Sequence, residues 1–333
     1  MISTIYIEDS IADSPRARQV LDRFPQAVRI ACERYGEVFN PRAQSFRLQK
    51  KRPALILAEK FDHFVLPAPQ GYGIGGQRNF YFSHMLNCLY DCRYCFLQGM
   101  YRSAHYVFFV NYEGFKDAID ARLAEAPEEV MYFFSGYDCD SLALDSVTGF
   151  VQEFVPFFAE RPRGILELRT KSRNIEGLLV LEAIPNCVVA YSLAPAAVAE
   201  AVEHRAPPIR QRLQAMKELA SRGWKIGLRF DPLIYHEEFR ESYAELFKDV
   251  FAHIPVESVH SISFGPMRFP KAMAETITRM YPEEPLFAGP MELRGSMVSY
   301  RQELEDGMMA FCRSELGKYV PETLFFTCMP EAA

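Results

Sequence analysis

The stretch "GILELRTKSRNIEGLLVLEAIPNCVVAYSLAP", residues 164–195, contains one complete unit of the predicted fold. Its two ends, "GILELRTK" and "CVVAYSL", are apolar runs of strand length, and a segment of helical period lies between them near 174–182. Two strands joined by a helix form a parallel pair, because the helix returns the chain to the edge of the sheet where the first strand began. The stretch therefore predicts a βαβ unit.

The same alternation continues on both sides of this unit. Further strands are predicted at "YVFFVNY" from 106, "EVMYFFSG" from 129, "KIGLRFDPLI" from 225 and "SVHSISFG" from 258. Further helices are predicted near 113–125, 143–160, 207–222, 238–252 and 270–280, and an interrupted helix over 14–38. Six strands separated by helices indicate an α/β protein with a partial (β/α)6 TIM-like barrel. We expect an N-terminal extension over 1–77, the barrel over 78–282 and a C-terminal segment over 283–333.

Composition and charge limit the possible settings. The chain has 37 basic and 43 acidic residues, a net charge of -6, so it does not coat nucleic acid by bulk electrostatics. The first residues do not resemble a secretory signal, and no apolar run is long enough to span a bilayer. We therefore expect a cytoplasmic protein, in which clustered cysteines are metal ligands or redox groups, while the isolated Cys328 is a plain buried side chain.

Three cysteines lie together in "NCLYDCRYCF", residues 87–96, with the spacing C-x3-C-x2-C at Cys88, Cys92 and Cys95. A structural zinc site takes four ligands, and His84 or His105 could supply the fourth, so zinc stays an alternative. An iron-sulfur cluster of four irons held by three thiolates keeps one iron open. Such an iron can chelate a small molecule through its amine and carboxylate.

The triplet, with the aromatic Tyr94 before its last cysteine, resembles the signature of the radical S-adenosylmethionine superfamily. The resemblance implies a barrel of the radical SAM type. It also implies a 4Fe-4S cluster on the three cysteines, S-adenosyl-L-methionine as second cofactor, and an electron donor such as flavodoxin or ferredoxin.

Further blocks resemble the spore photoproduct lyase family in order and spacing. They are "CLYDCRYCFLQ", "CDS" followed by "VTGFVQEF", "LRTKS", "AYSLAP", "RLQAMKELASRGWKIGLRFDPLIYHEEFRESYAELF" and "RFPKAMAETITRMYP". The family resemblance implies a radical lyase that repairs a thymine photodimer in damaged DNA. By position, Cys139 would return a hydrogen atom to the substrate radical and Tyr94 would belong to the hydrogen-transfer relay. The predicted cofactor contacts are Ser141, Lys171, Ser192 and Asp231.

The substrate side departs from the family pattern. Phe96 stands where the family has a tyrosine, so it has no O–H to give. In the C-terminal segment, only Arg294, Tyr300 and Arg301 remain as counterparts of a more basic family segment. Tyr235 and His236 follow a predicted strand and either touch substrate or serve as turn and cap residues.

Two alternatives to DNA repair stay open. One is a radical SAM enzyme of the same fold that acts on a peptide or small metabolite. The other is a non-catalytic metal-binding module with nucleic acid as partner. In each case we expect a monomer with no membrane partner.

Overall fold

The structure is a computed structural model that describes residues 2–69, 71–76 and 78–327, so Cys328 lies outside the described residues. The strands are β1 Thr4–Glu8, β2 Val28–Cys32, β3 Leu55–Ala58, β4 Leu66–Pro67, β5 Arg78–Tyr81, β6 Met85–Leu86, β7 Asp91–Cys92, β8 Tyr106–Phe109, β9 Met131–Phe134, β10 Gly164–Thr170, β11 Cys187–Ser192, β12 Glu203–His204, β13 Lys225–Leu233, β14 Val259–Pro266, β15 Arg268–Pro270, β16 Met291–Arg294, β17 Met297–Tyr300 and β18 Phe325–Thr327.

The helices alternate with these strands from β8 onward. They are α1 Pro15–Asp22, α2 Tyr35–Phe39, α3 Phe46–Lys51, α4 Leu97–Met100, α5 Tyr112–Glu125, α6 Asp145–Thr148, α7 Phe150–Ala159, α8 Glu176–Leu179, α9 Ala196–Val202, α10 Ile209–Ser221, α11 Phe239–His253, α12 Lys271–Met280 and α13 Gln302–Leu316. The predicted helix over 143–160 is divided at Gly149, whose φ of 63° lies in the left-handed region that favours glycine.

The main sheet is a curled half-barrel. Its strand order is β18-β14-β13-β11-β10-β9-β5-β4 within the described residues, and all neighbours are parallel except the β4–β5 pair. The central strands β11 and β9 are buried along their whole length, as expected for a parallel sheet covered on both faces. The prediction of a partial TIM-like barrel is confirmed.

The first strand of the barrel was predicted wrongly. β8 is not a barrel strand, because it pairs with β3 in a second sheet of order β2-β1-β3-β8-β6. The position beside β9 is taken by β5. Both β5 and β8 have strand-forming sequences, and the partner of a strand is a non-local property that its own sequence does not contain.

The predicted helix over 14–38 is also wrong between α1 and α2. α1 ends at Asp22, and residues 28–32 form the edge strand β2, which pairs in parallel with β1. The segment "VRIAC" is rich in β-branched residues, and pairing with β1 outweighs its weak helical period.

The second sheet and a small hairpin flank the barrel. The small sheet β15-β17-β16 is antiparallel. β15 directly precedes α12, and the hairpin β16–β17 lies between α12 and α13 in sequence. One continuous hydrophobic core joins the N-terminal sheet, the barrel helices and α13. Within the described residues, no helix is long and apolar enough to cross a bilayer.

Candidate active site

A cavity of about 220 Å³ opens where the C-terminal ends of the barrel strands meet the loop of the cysteine triplet. The loops after parallel strands converge at this edge, so side chains distant in sequence come together there. The cavity wall contains many of the residues predicted for the site: Cys88, Cys92, Tyr94, Cys95, Phe96, Cys139, Lys171, Ser192 and Asp231.

The cysteine loop is held from both sides by hydrogen bonds. The Asn87 side chain, at a residue with φ of 68°, donates to the carbonyl oxygens of Ser103 at 2.8 Å and His105 at 2.7 Å. After the triplet, the Gln98 amide donates to Asp91 Oδ1 and to the Cys92 carbonyl, each at 2.9 Å. These bonds fix the backbone on either side of the three thiols before any cofactor binds.

The histidines that could have completed a zinc site do not face the thiols. His84 is buried and stacks on Phe150 at 3.8 Å between ring centroids, and burial lowers its pKa to about 3. His105 Nδ1 accepts a hydrogen bond from the Ala54 N–H at 3.0 Å. Among the residues that the structure describes, no three His, Cys, Asp or Glu side chains converge closely enough to hold a single metal ion. The geometry therefore does not support the zinc alternative.

The donor set fits an iron-sulfur cluster. Three thiols line one cavity wall, and a cluster of four irons can be held by three protein thiolates. Burial raises the pKa of the Cys88 thiol to about 12 and that of Cys92 well above its usual value, so these sulfurs need a cation to become thiolates.

Cys139 occupies the loop after β9, on the wall shared with the triplet. Its thiol donates to the Ser135 carbonyl at 3.6 Å, and the side chain is 7% exposed. Burial is the main reason that the pKa of Cys139 is well above its usual value, with the charges of Cys88 and Asp140 acting in the same direction. The group therefore keeps its S–H at neutral pH, which is the state that can give a hydrogen atom.

Lys171 follows β10 and brings a half-buried cation to the wall. Its ammonium lies 5.4 Å from the centroid of the Tyr94 ring. Burial alone would lower its pKa, but the neighbouring Cys92 and Glu203 raise it above the ordinary value, so the side chain stays charged. A cation held at this depth can bind a carboxylate of a small molecule.

Asp140, which was not predicted as a site residue, joins the loop of Cys139 to Lys171 at the end of β10. Its Oδ1 accepts from Leu142 N–H at 3.0 Å, Ala143 N–H at 2.9 Å and the Thr170 hydroxyl at 2.7 Å. Its Oδ2 accepts from the Lys171 N–H at 2.6 Å. The "CDS" block contained this residue, but a carboxylate beside a serine is also a common turn signal.

Asp231, at the end of β13, combines one satisfied oxygen with one that lacks a partner. Oδ2 accepts from the Ser263 hydroxyl at 3.0 Å and lies 3.9 Å from Arg169 Nη1. Oδ1 is buried without a hydrogen-bond partner among the described residues. An unsatisfied buried oxygen in a cavity wall indicates a place for a ligand donor.

Tyr94 and Phe96 both line the cavity, and their aromatic rings make different contacts. The Tyr94 hydroxyl donates to Glu203. The Phe96 ring packs edge-on against Phe269 at 5.5 Å between centroids. The ring of Phe96 therefore contributes an apolar surface to the cavity wall.

Ser141 lies behind the cavity wall. It is 1% exposed, its hydroxyl shares a 2.8 Å hydrogen bond with the hydroxyl of Ser135, and its N–H donates to the Arg169 carbonyl. Its contacts support the loop of Cys139, and its role as a cofactor contact stays a prediction.

The remaining predicted substrate residues lie outside the wall of the cavity. The Tyr235 N–H donates to the buried Tyr300 hydroxyl at 3.0 Å, and His236 Nε2 lies 2.8 Å from the Ser242 hydroxyl at the start of α11. These contacts match the turn and cap interpretation.

Arg294 is ion-paired with Glu292 at 3.3 Å and with the buried Glu305. Arg301 is exposed at the N-terminus of α13. The basic run "RLQKKR", residues 47–52, is another candidate surface for nucleic acid, and its charges are partly neutralised. Here Arg47 pairs with Glu283 at 2.5 Å, and Lys50 is buried 3.8 Å from Asp91.

A family model described as spore photoproduct lyase matches residues 80–294. The spore photoproduct lyases of Bacillus subtilis (strain 168) and Geobacillus sp. (strain Y412MC61) are 27% and 24% identical to this chain over 202 residues, 60% of its length. The aligned part spans 59% of the length of each of these relatives.

Solved structures of spore photoproduct lyase share the fold. A double mutant with bound AdoMet and dinucleoside spore photoproduct has a TM-score of 0.83 at 18% identity. A complex with dinucleoside spore photoproduct has a TM-score of 0.81 at the same identity. Each comparison covers 99% of this chain and 98% of the other. The family model, which matches more than half of the residues, shows that the chain belongs to the spore photoproduct lyase family.

Proposed function

We propose that the protein is a radical SAM lyase that repairs a thymine photodimer in DNA. The observation that carries the proposal is the single cavity wall shared by the cysteine triplet, Cys139, Lys171 and Asp231. Relatives of the family are named spore photoproduct lyases, and one solved relative holds AdoMet and dinucleoside spore photoproduct together.

The cofactors would be a 4Fe-4S cluster on Cys88, Cys92 and Cys95, and S-adenosyl-L-methionine beside it. When bound and reduced, such a cluster would supply the electron for reductive cleavage of S-adenosyl-L-methionine. The charged Lys171 would bind the cofactor carboxylate, and Asp231 Oδ1 would accept from a cofactor donor. Ser192, on the same wall, adds a hydroxyl to this contact set.

Cys139 would complete the reaction as hydrogen donor. After the photodimer splits, the S–H bond of Cys139 breaks and a C–H bond forms on the substrate radical, which leaves a thiyl radical on the sulfur. One electron and one proton, supplied through a donor of the flavodoxin or ferredoxin class, restore the thiol. We assign the photoproduct to damaged DNA, which must present the dinucleotide out of the base stack. We place the protein in the cytoplasm, acting as a monomer.

We also retain as a proposal the division into an N-terminal extension over 1–77, a catalytic barrel over 78–282 and a C-terminal segment over 283–333. The extension contributes to the site through Lys50, whose ammonium donates to the Tyr90 carbonyl at 3.4 Å in the cysteine loop. The hairpin β16–β17 of the C-terminal segment would border the substrate side.

A second candidate keeps the cofactor chemistry and changes the substrate to a peptide or small metabolite. It is favoured by the ion pairs of Arg47 and Arg294, which neutralise cations that a DNA-binding face would use. The apolar Phe96 in the wall also suits this candidate.

The test is anaerobic turnover of cluster-loaded protein with S-adenosyl-L-methionine, dithionite and an oligonucleotide that carries the spore photoproduct. Recovery of thymine and formation of 5′-deoxyadenosine are measured together. The Cys139→Ala variant should form 5′-deoxyadenosine and divert the substrate to by-products. The matched Cys312→Ala variant removes a buried thiol in α13 and should behave as wild type. Formation of 5′-deoxyadenosine without thymine recovery would transfer support to the second candidate.

A further inference from the structure

A buried ion pair lies directly behind the cysteine loop. The Glu203 and Arg212 side chains are each 1% exposed and contact each other through Glu203 Oε2 and Arg212 Nη2. Neither belongs to the cavity wall, and neither was singled out by its sequence. A buried ion pair is costly to desolvate, so its retention here raises the question of what it holds in place.

The pair is attached to the cysteine loop at two places. Glu203 Oε1 accepts from the Tyr94 hydroxyl, which lies between Cys92 and Cys95 in sequence. The backbone of Glu203 pairs with Cys92 in the short antiparallel ladder β12–β7, and the Arg93 N–H donates to the Val202 carbonyl at 2.8 Å. A side-chain bond and a backbone ladder therefore fix the same loop.

The other end of the pair is attached to a barrel strand that borders the cavity. Arg212 Nη1 donates to the Ser192 carbonyl at 3.0 Å, and Nε donates to the Pro207 carbonyl at 2.9 Å. The Tyr94 ring meanwhile lies 5.4 Å from the Lys171 ammonium. One continuous set of contacts therefore runs from Lys171 through Tyr94, Glu203 and Arg212 to Ser192.

We propose that Glu203, with Arg212, is a positioning residue for the S-adenosyl-L-methionine site. It sets the distance between the cysteine loop and the two strand ends that bear Lys171 and Ser192. It touches neither cofactor nor substrate and acts through Tyr94 on one side and through Arg212 on the other. The inference rests on the proposed function, because Lys171 and Ser192 are cofactor contacts only in that proposal.

The design of the variants follows from the ion pair. Glu203→Gln alone would leave Arg212 buried with an uncompensated charge and could prevent folding. The double variant Glu203→Gln/Arg212→Met removes both charges together and keeps the volume of the pair. Tyr94→Phe removes only the hydroxyl that Glu203 holds. The matched control is Tyr112→Phe in α5. This variant removes a buried hydroxyl that donates to the Thr148 carbonyl at 3.2 Å.

The measurement is the Kd of S-adenosyl-L-methionine for anaerobic, cluster-loaded protein without substrate, by calorimetry. Iron content and Tm are recorded for each variant. Loss of the charged hydrogen bonds should raise Kd about tenfold in the double variant and about threefold in Tyr94→Phe. Iron content should stay at the wild-type level in both, and Tyr112→Phe should keep the wild-type Kd. A merely structural role would lower Tm and iron content and leave the Kd of the loaded fraction unchanged.

Two results would count against the inference in different ways. If both variants bind S-adenosyl-L-methionine within twofold of wild type at full iron content, Glu203 does not position the site, and the proposed function is unaffected. If the wild-type protein itself holds no cluster or binds no S-adenosyl-L-methionine, the proposed function is wrong and the inference falls with it. If the double variant does not fold, the Kd of Tyr94→Phe decides.

Discussion

The side chain of Asp140 offers a sharp test of how the site is assembled. Its four acceptor contacts join the loop of Cys139 to the N–H of Lys171. In Asp140→Asn, the remaining oxygen can keep the three donors of Oδ1, namely the N–H groups of Leu142 and Ala143 and the hydroxyl of Thr170. The new NH2 group then faces the Lys171 N–H, and the 2.6 Å hydrogen bond is lost.

The expected cost can be stated from that one bond. A buried hydrogen bond to a charged group contributes about 2 kcal/mol, so the free energy of unfolding should fall by about that amount. The Lys171 backbone would move away from the Cys139 loop, and the Kd of S-adenosyl-L-methionine should rise about tenfold, which corresponds to ~1.4 kcal/mol. Urea denaturation of the apoprotein measures the first quantity, and calorimetry on the cluster-loaded protein measures the second.

The matched control is Asp145→Asn. Asp145 is also a buried carboxylate that accepts a backbone N–H, from Val151 at 2.9 Å, and it lies outside the cavity wall. This variant should change stability and leave cofactor affinity as in wild type. If Asp140→Asn unfolds at the wild-type urea midpoint and binds S-adenosyl-L-methionine with the wild-type Kd, Asp140 does not hold the Cys139 loop and Lys171 together.

Three further predictions concern charges in the interior. Glu167→Gln leaves the fully buried Arg229 without the partner at 2.8 Å, so the free energy of unfolding should fall by about 3 kcal/mol. In urea denaturation, the double variant Glu167→Gln/Arg229→Met should recover most of the lost free energy of unfolding. A double variant no more stable than Glu167→Gln would contradict this explanation of the loss. Burial holds the pKa of His84 at about 3, below its unfolded value, so its contribution to stability is complete above pH ~6.5 and declines as the pH falls towards 3. Between pH 7 and pH 5 this loss of stability is ~2 kcal/mol in the wild-type protein. The free energy of unfolding of His84→Phe should therefore fall by less over the same pH range. An equal fall in both proteins would show that His84 is not the group responsible. Lys171→Met keeps the side chain as far as its fourth atom and removes the charged ammonium, so calorimetry should show at least about tenfold weaker S-adenosyl-L-methionine binding. Unchanged affinity would remove Lys171 from the site.

Much of the architecture could be predicted because the signals were local. An apolar run such as β11 is buried along its length whichever strand lies beside it, so its composition alone identifies it. The thiols of the triplet lie within eight positions of one another, and their spacing carries the chemistry without reference to the rest of the chain. Lys171 and Asp231, predicted as cofactor contacts, both line the cavity of the triplet, because parallel strands bring their C-terminal ends to one edge.

Other features depended on contacts between distant segments. Whether β5 or β8 lies beside β9 is decided by how two sheets pack on one core, and both sequences suit either place. The edge strand β2 forms because β1 is available for pairing. The roles of Asp140 and Glu203 are likewise invisible in sequence, because an acidic residue on a loop is ordinarily solvated. What makes each of them structural is a buried position in which donors from separate segments converge on one carboxylate, and only the tertiary structure creates that position.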